Sequence, residues 1–452
     1  GRGSRYITIN RAETGARMSI GRQSLSLIAL VIALSGCMKD MAAKMPFGGR
    51  ADPPAEETVT RAASAARPDT AQAAPIIHAL SLRGSVVEPG TAYARVADAV
   101  IASDSRVAAA ELHIARLRAE AAKYNWLPSI GPRISLTSLG DFVADLVVNQ
   151  VLFDNGRKKA ERDLAKSHVE LAAVKLVEDG NRRVNDALTL YVRAQESREL
   201  DSHLEFALKD MTQFEWIMNE RVKGGVSDTS DLNVLRQKLA SIRARRSEAQ
   251  ETARTAMAEL DAMAATPLTD IHGLGGLRDA SGGPALGVLR AQAERDIAVA
   301  EARIARASHL PSLVASGSGG QSPLRGSLDI GSDTLFSLGT VSDLRAIDAS
   351  RDAASRKIGE AEETAERAIR SQASQLAAYT RQAKEADLLT RQAKQNLDLF
   401  QRQYDGGQRQ VMDVVGVYET YAAALERAID LKYKAARAEL ELARLRGALA
   451  EG

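Results

Sequence analysis

Two glycines followed by an aspartate recur in this chain, and the interval between the copies constrains the fold more than any other feature. Gly224 and Gly225 are followed by Asp231 and Leu232, and Gly406 and Gly407 by Asp413 and Val414. The copies lie 182 residues apart (224 to 406), with the same step of 7 from first glycine to aspartate. A second set of landmarks keeps nearly the same interval. Trp126, Leu127, Pro128, Ser129 and Ile130 answer to His309, Leu310, Pro311, Ser312 and Leu313, and Leu152, Phe153 and Gly156 to Leu335, Phe336 and Gly339, all offset by 183. Registrations that agree within one residue over such a distance mark a tandem duplication of most of the chain, with a unit too large for a short-period solenoid.

Each glycine pair interrupts a long helical pattern and a second helical pattern begins at once, the mark of a turn between antiparallel helices. After Gly156 the first pattern runs unbroken over 157–222, on the order of 100 Å at about 1.5 Å per residue. No compact domain needs such a rod. Its counterpart over 343–404 keeps a heptad seam of Leu376, Tyr379, Ala383, Ala386, Thr390, Ala393, Leu397 and Phe400, in which small residues permit close helix approach. Return helices are predicted over 230–260 and 410–449. A helix capped by Thr91 is predicted to begin at Ala92 and continue towards Asn125.

Between Pro128 and Gly156 the period changes. Ile134 and Leu136 alternate with polar neighbours, Gly140 and Asp141 mark a turn, and the stretch from Leu146 to Phe153 is rich in valine, which together predict a strand hairpin. Its length just suffices for two membrane-spanning strands of about 9–11 residues each. The second copy, from Leu313 to Leu338, alternates through Leu328 and Ile330 but is full of glycine and serine, and neither hairpin carries a rich aromatic girdle.

The chain thus divides into upstream residues and a leader (1–36), a tether rich in alanine, proline and threonine (37–90), a first repeat (91–262), a glycine-rich connector (263–284) and a second repeat (285–452). The leader is read from Met18, with residues 1–17 upstream of the start. A polar stretch with Arg22 precedes an apolar run over 25–34, then Ser35, Gly36 and the single cysteine, Cys37. The run is too short for a transmembrane helix and suits a secretory signal. A cysteine after small residues there resembles a bacterial lipoprotein signal, which implies lipid attachment at Cys37; an ordinary signal peptide followed by a buried cysteine is the other reading. Met38 at the next position points, by the same resemblance, to the outer membrane. One cysteine permits no disulfide within the chain.

Composition narrows the chemistry. Lysine and arginine number 60 against 58 acidic residues, a net charge of +2 that implies no nucleic-acid partner. The six histidines are widely spaced and form no metal motif, there is no phosphate-binding loop, and the connector glycines lack the strand-then-helix context of a dinucleotide site. No metal, cofactor or enzymatic activity is expected. Arg243, Arg245 and Arg246 read as a solvated basic face. Asp231 and Asp413 admit two readings: a carboxylate stabilised by the positive end of its helix, or a member of a negative ring at a pore mouth once symmetry gathers several copies.

The proline-led hairpins, the run Asn149, Gln150, Val151, Leu152, Phe153, Asp154, Asn155, Gly156, Arg157, the glycine-to-aspartate turns and the duplication together resemble the TolC family of outer-membrane channel proteins, over roughly 91–449. The resemblance implies a mainly α fold with a small β part: long antiparallel helical hairpins forming a trimeric α-barrel tunnel, and four strands per protomer in a shared 12-stranded β-barrel. A homotrimer agrees with the rule that open sheet edges are not tolerated in lipid. The resemblance further implies the exit duct of a tripartite efflux pump or type I secretion system in the outer membrane, passive, and opened by a periplasmic adaptor that links it to an inner-membrane transporter. By position, Gly224, Gly225, Gly406 and Gly407 would be the adaptor-contacting turns, and Asp413 with Asp231 the pore constriction. Some relatives carry a second acidic residue three positions after the aspartate, where this chain has Gly416. The alternative is a lipid-anchored periplasmic coiled-coil scaffold or adaptor without a pore.

Overall fold

A computed structural model describes residues 75–103, 107–136, 142–268, 270–278, 283–320, 323–334 and 337–451. The leader with Cys37, the turn at Gly140 and Asp141, and Leu335 with Phe336 lie outside the described residues. In chain order the elements are α1 (Pro75–Ser81), α2 (Ala92–Ile101), α3 (Val107–Lys123), β1 (Ser129–Leu136), β2 (Phe142–Phe153), α4 (Arg157–Lys223), α5 (Thr229–Met263), α6 (Leu286–Ser308), β3 (Ser312–Gly320), β4 (Arg325–Gly331), α7 (Thr340–Asp405) and α8 (Val411–Leu445). The duplication is visible in the element lengths: α4 and α7 have 67 and 66 residues, and α5 and α8 have 35 each.

The four strands form one antiparallel sheet in the order β1-β2-β3-β4, so pairing between β2 and β3 joins the hairpins of the two halves. Among the described residues β1 and β4 each have a strand on one side alone. Below the sheet α4 packs against α2, α3, α5, α6 and α8, and α7 against α6 and α8. The burial of the two long helices differs accordingly. α4 buries 22 residues, while the equivalent α7 buries Thr340, Ala354, Ala386, Thr390 and Leu397.

The main core gathers Tyr93, Val96 and Val100 of α2, Val184, Leu188 and Tyr191 of α4, Leu268 and Ile271 of the connector, and Leu440 and Leu449 near the C-terminus. Tyr191 donates to the Gly273 carbonyl at 2.7 Å, which satisfies its hydroxyl inside this core. A second cluster sits at the opposite end of the hairpins, around Met211, Leu235, Leu397 and Val414.

Two segments differ from expectation. The helix predicted from Ala92 to Asn125 is two helices. Thr91 caps the first as expected, its Oγ1 accepting from the Ala94 N–H at 3.3 Å. At the other end, the Ala99 carbonyl accepts from the Ala265 N–H (2.8 Å) and the Val100 carbonyl from Arg183 Nε (3.2 Å). Tertiary donors thus satisfy the last carbonyls of α2, which removes the need for another helical turn. The second difference concerns residues 75–90, read as the end of a tether. They carry α1, whose Ile76 and Leu80 pack against Val174 and Val177 of α4 and Leu286 and Leu289 of α6. Val87 then pairs with Leu277, and the Val86 N–H donates to the Ala448 carbonyl at 2.9 Å. No helix among the described residues is long and apolar enough to cross a membrane.

Candidate functional site

The sheet has two chemically distinct faces. In an antiparallel ladder directly opposed residues share a face and successive residues alternate. The register therefore groups Ile130, Pro132 and Ile134 with Leu146 and Val148, and these with Leu313, Ala315, Leu328 and Ile330. Apart from Gln150, which the register sets opposite Ala315, the side chains grouped on this face are apolar, and several are exposed: Ile134 is 68% exposed, Leu328 69% and Ile330 77%. The opposite face is mostly polar: Ser129, Arg133, Asp145, Asn149, Ser316, Ser318, Arg325, Ser327 and Asp329 share it with Val147, Val151 and Val314. There Asp329 Oδ2 accepts from the hydroxyls of Ser316 and Ser327, both at 3.0 Å.

The run from Asn149 to Arg157 builds the corner at which the sheet becomes helix. Asn155 and Gly156 both adopt the left-handed region, at φ 53° and 84°. Asp154 holds the bend, its two oxygens accepting from the N–H groups of Gly156 (3.1 Å) and Lys158 (2.6 Å). Asn155 Nδ2 donates to the Pro311 carbonyl at 2.8 Å, tying this corner to the proline that leads β3. Gln150 Nε2 donates to the Trp126 carbonyl at 2.8 Å, closing the base of the first hairpin.

At the other end the two glycine turns have the same backbone. Gly225 and Gly407 have φ of 70° and 71°. The Val226 N–H donates to Arg221 (2.9 Å) and the Gly225 N–H to Val222 (3.0 Å), and Gln408 and Gly407 donate likewise to Gln403 (2.8 Å) and Tyr404 (2.9 Å). This pair of bonds satisfies the last carbonyls of each long helix and requires a residue that tolerates positive φ.

The two aspartates behind the turns differ. Asp413 completes a capping box: its Oδ2 accepts from the Gln410 N–H at 3.2 Å, and the Gln410 side chain accepts from the Asp413 N–H. It is exposed. In the first half the N-cap is Asp228, whose Oδ1 accepts from the Ser230 N–H at 3.2 Å, and Asp231 sits in the first turn without being the cap. The hydrogen bond from the Ser230 backbone holds the Asp228 carboxyl below the usual range. Leu232 and Val414, beside the two aspartates, are buried in the same tip cluster, and Phe214 meets Tyr418 edge-on at 6.3 Å within it. Packing thus brings both turns to one end.

Ion pairs run along the contact between the hairpins. Arg245 pairs with Glu426 and Lys238 with Glu419, which joins α5 to α8. Glu199 of α4 accepts from Lys432 (2.8 Å) and from the Tyr433 hydroxyl (2.7 Å) of α8. Arg246 reaches Asp201 (2.9 Å) and Glu205 (3.0 Å) on α4. The basic run read as a solvated face is therefore corrected for Arg245 and Arg246, both of which bridge helices. Residues 238 and 245 are one heptad apart, as are 419 and 426, the signal by which these bridges can be found.

Neither family models nor curated protein sequences match the chain. Solved structures do. The crystal structure of a membrane protein from Pseudomonas aeruginosa superposes with a TM-score of 0.71 at 15% identity, covering 82% of this chain and 92% of that one. The Vibrio cholerae outer membrane protein VceC gives 0.68 at 16% identity, over 78% of this chain and 96% of that one. The open state of the Neisseria gonorrhoeae MtrE outer membrane channel gives 0.68 at 16% identity, over 88% and 98%. The chain shares the fold of these proteins: mainly helical, with long hairpins and a small antiparallel sheet.

Proposed function

We propose that this chain is an outer-membrane channel, the exit duct of a tripartite efflux pump or type I secretion system, passive and opened by a periplasmic adaptor at the glycine turns. The two-faced sheet carries the reading. An apolar face suits lipid and a polar face suits a water-filled lumen. Four strands are too few to close, and a free edge in hydrocarbon leaves backbone groups unsatisfied, so the barrel must be completed by further copies. Three copies would give the 12-stranded barrel that the resemblance implies.

The duplication indicates how copies meet. Arg290 and Ala293 of α6 face α4, through the ion pair to Glu178 and the cluster with Val174 and Val177. The equivalent positions of α3, offset by 183, are Val107 and Ala110, which begin an exposed stripe continuing through Ile114, Leu117, Ala121 and Tyr124. On α7 the positions equivalent to Val174, Val177 and Glu178 are Lys357 and Glu360, both exposed, and Ala361, half-buried. We assign the α3 stripe of one copy to this α7 face of the next, which repeats between chains the contact that α6 and α4 make within one.

In this reading the description of MtrE as an outer membrane channel extends to the chain. Lipid on Cys37 assists anchoring, the tether after it leads to α1 and the folded repeats at 91–262 and 285–452, and Asp413 with Asp231 borders the tip constriction. A pore-free scaffold leaves the apolar sheet face in water, and nothing in the fold favours it. Planar-bilayer recording of the purified protein tests the proposal. Discrete conductance steps are expected, and a stable monomer that never conducts overturns it.

A further inference from the structure

The contact between the hairpins contains one group that the proposed function does not use. His203 lies on α4, 8% exposed, against α8. Its ring hydrogen-bonds the backbone of Ala422. Among the described residues its Nε2 has no hydrogen-bond partner, and it stands 4.0 Å from Glu426 Oε1, too far for a hydrogen bond. The other oxygen of that carboxylate is engaged by Arg245 of α5. The charged groups facing the ring are thus Glu426 from α8 and Arg245 from α5. On α4 itself, Glu199 is taken by Lys432 and Tyr433, and Asp201 and Glu205 by Arg246. A cavity of about 200 Å³ adjoins, walled by Leu204, Lys238, Arg245, Ala422 and Glu426.

We infer that His203 makes the contact between α4 and α8 proton-sensitive, so that mild acid loosens the two hairpins and favours opening of the conduit. The effect on opening rests on the proposed function; the sensitivity of the contact does not.

A proton on Nε2 would place a second cation beside a carboxylate that already serves Arg245, at a site with little water. Burial is the larger influence and pulls the His203 pKa down, Glu426 offsets part of this, and Arg245 adds to it. The sign follows from linkage. The packed contact takes up a proton less readily than a solvated imidazole, so it is at full strength above about pH 6.5 and weakens as pH falls below that value.

Hydrogen exchange of the full chain in detergent tests this, following amides at 199–211 and 415–430 with the main core around Tyr191 as reference. A several-fold loss of protection is expected between about pH 7.5 and pH 5. His203→Gln, neutral at both, should abolish that loss. Glu426→Gln removes the one side chain that raises the histidine's proton affinity; it should leave the onset where the solvated imidazole titrates and make the acid loss no smaller. Acid loosening that persists in His203→Gln, a smaller acid loss in Glu426→Gln, or a native contact indifferent to pH would each overturn the inference. Bilayer recording gives the functional arm: open probability should rise on acidification in the native chain and stay level in His203→Gln. A chain that never conducts but shows the exchange pattern would sink the channel reading and leave the proton sensitivity standing.

Discussion

Gly225 and Gly407 hold the same left-handed angle in turns whose surroundings differ, and side chains other than glycine adopt that angle at a cost of about 1 kcal/mol. Gly407→Ala is therefore expected to weaken the turn by about that much, read as faster amide exchange beside it. Gly406→Ala should cost less, because Gly406 has φ −79° and an added Cβ would stand at ordinary contact distance, 3.5 Å from the Arg402 carbonyl. The two readings of Asp413 separate by substitution. Asp413→Asn keeps an acceptor for the Gln410 N–H and removes the charge, whereas Asp413→Ala also loses the cap, worth about 1 kcal/mol. A constriction role predicts that both raise conductance or relieve block by multivalent cations; if neither does, the aspartate is a cap alone. Asp228 has a pH signature of its own. With its carboxyl held low, its cap contributes above the ordinary aspartate range and is lost as pH falls through the depressed value. Asp228→Asn should remove that acid dependence from the exchange of the Ser230 amide.

For the elements, the sheet makes the sharpest demand. Leu328 and Ser327 are adjacent in β4 and point to opposite faces. If the apolar face meets lipid, as proposed, Leu328→Arg puts a charge in hydrocarbon, at an expected cost of about 2–4 kcal/mol near the midplane. Ser327→Arg faces the lumen side and should be tolerated. Recovery of assembled protein from the outer-membrane fraction distinguishes them, and equal recovery would mean that the apolar face does not meet lipid. At the tips, Leu235 is fully buried in the cluster that both hairpins share, so Leu235→Ala should destabilise by about 2–5 kcal/mol, measured as a lowered thermal midpoint.

At the scale of the whole molecule, a repeat that packs against itself within the chain must end in faces that have no partner there. The α3 stripe and the bare flank of α7 are those faces, and Ile114→Arg should shift the mass measured by light scattering from trimer to monomer without loss of helix content. The duplication, the two rods, their turns and the two hairpins were legible from the amino-acid sequence because each is written in local spacing: periods of 3.6 and 2, glycine where φ is positive, an aspartate or threonine at a helix start. What joins them was not. The break between α2 and α3 depends on donors from Arg183 and Ala265. The bridges from Arg245 and Lys238 to α8 span 181 residues, and the pairing of β2 with β3 joins residues from 160 (Phe153 and Leu313) to 175 (Asp145 and Gly320) apart. His203 meets Glu426 only because α4 and α8 lie side by side. By itself the sequence determined which elements form and that they come twice. Tertiary structure decided which faces meet and which charges pair, because contacts between residues far apart in the chain depend on how helices and strands pack, and no local period records that.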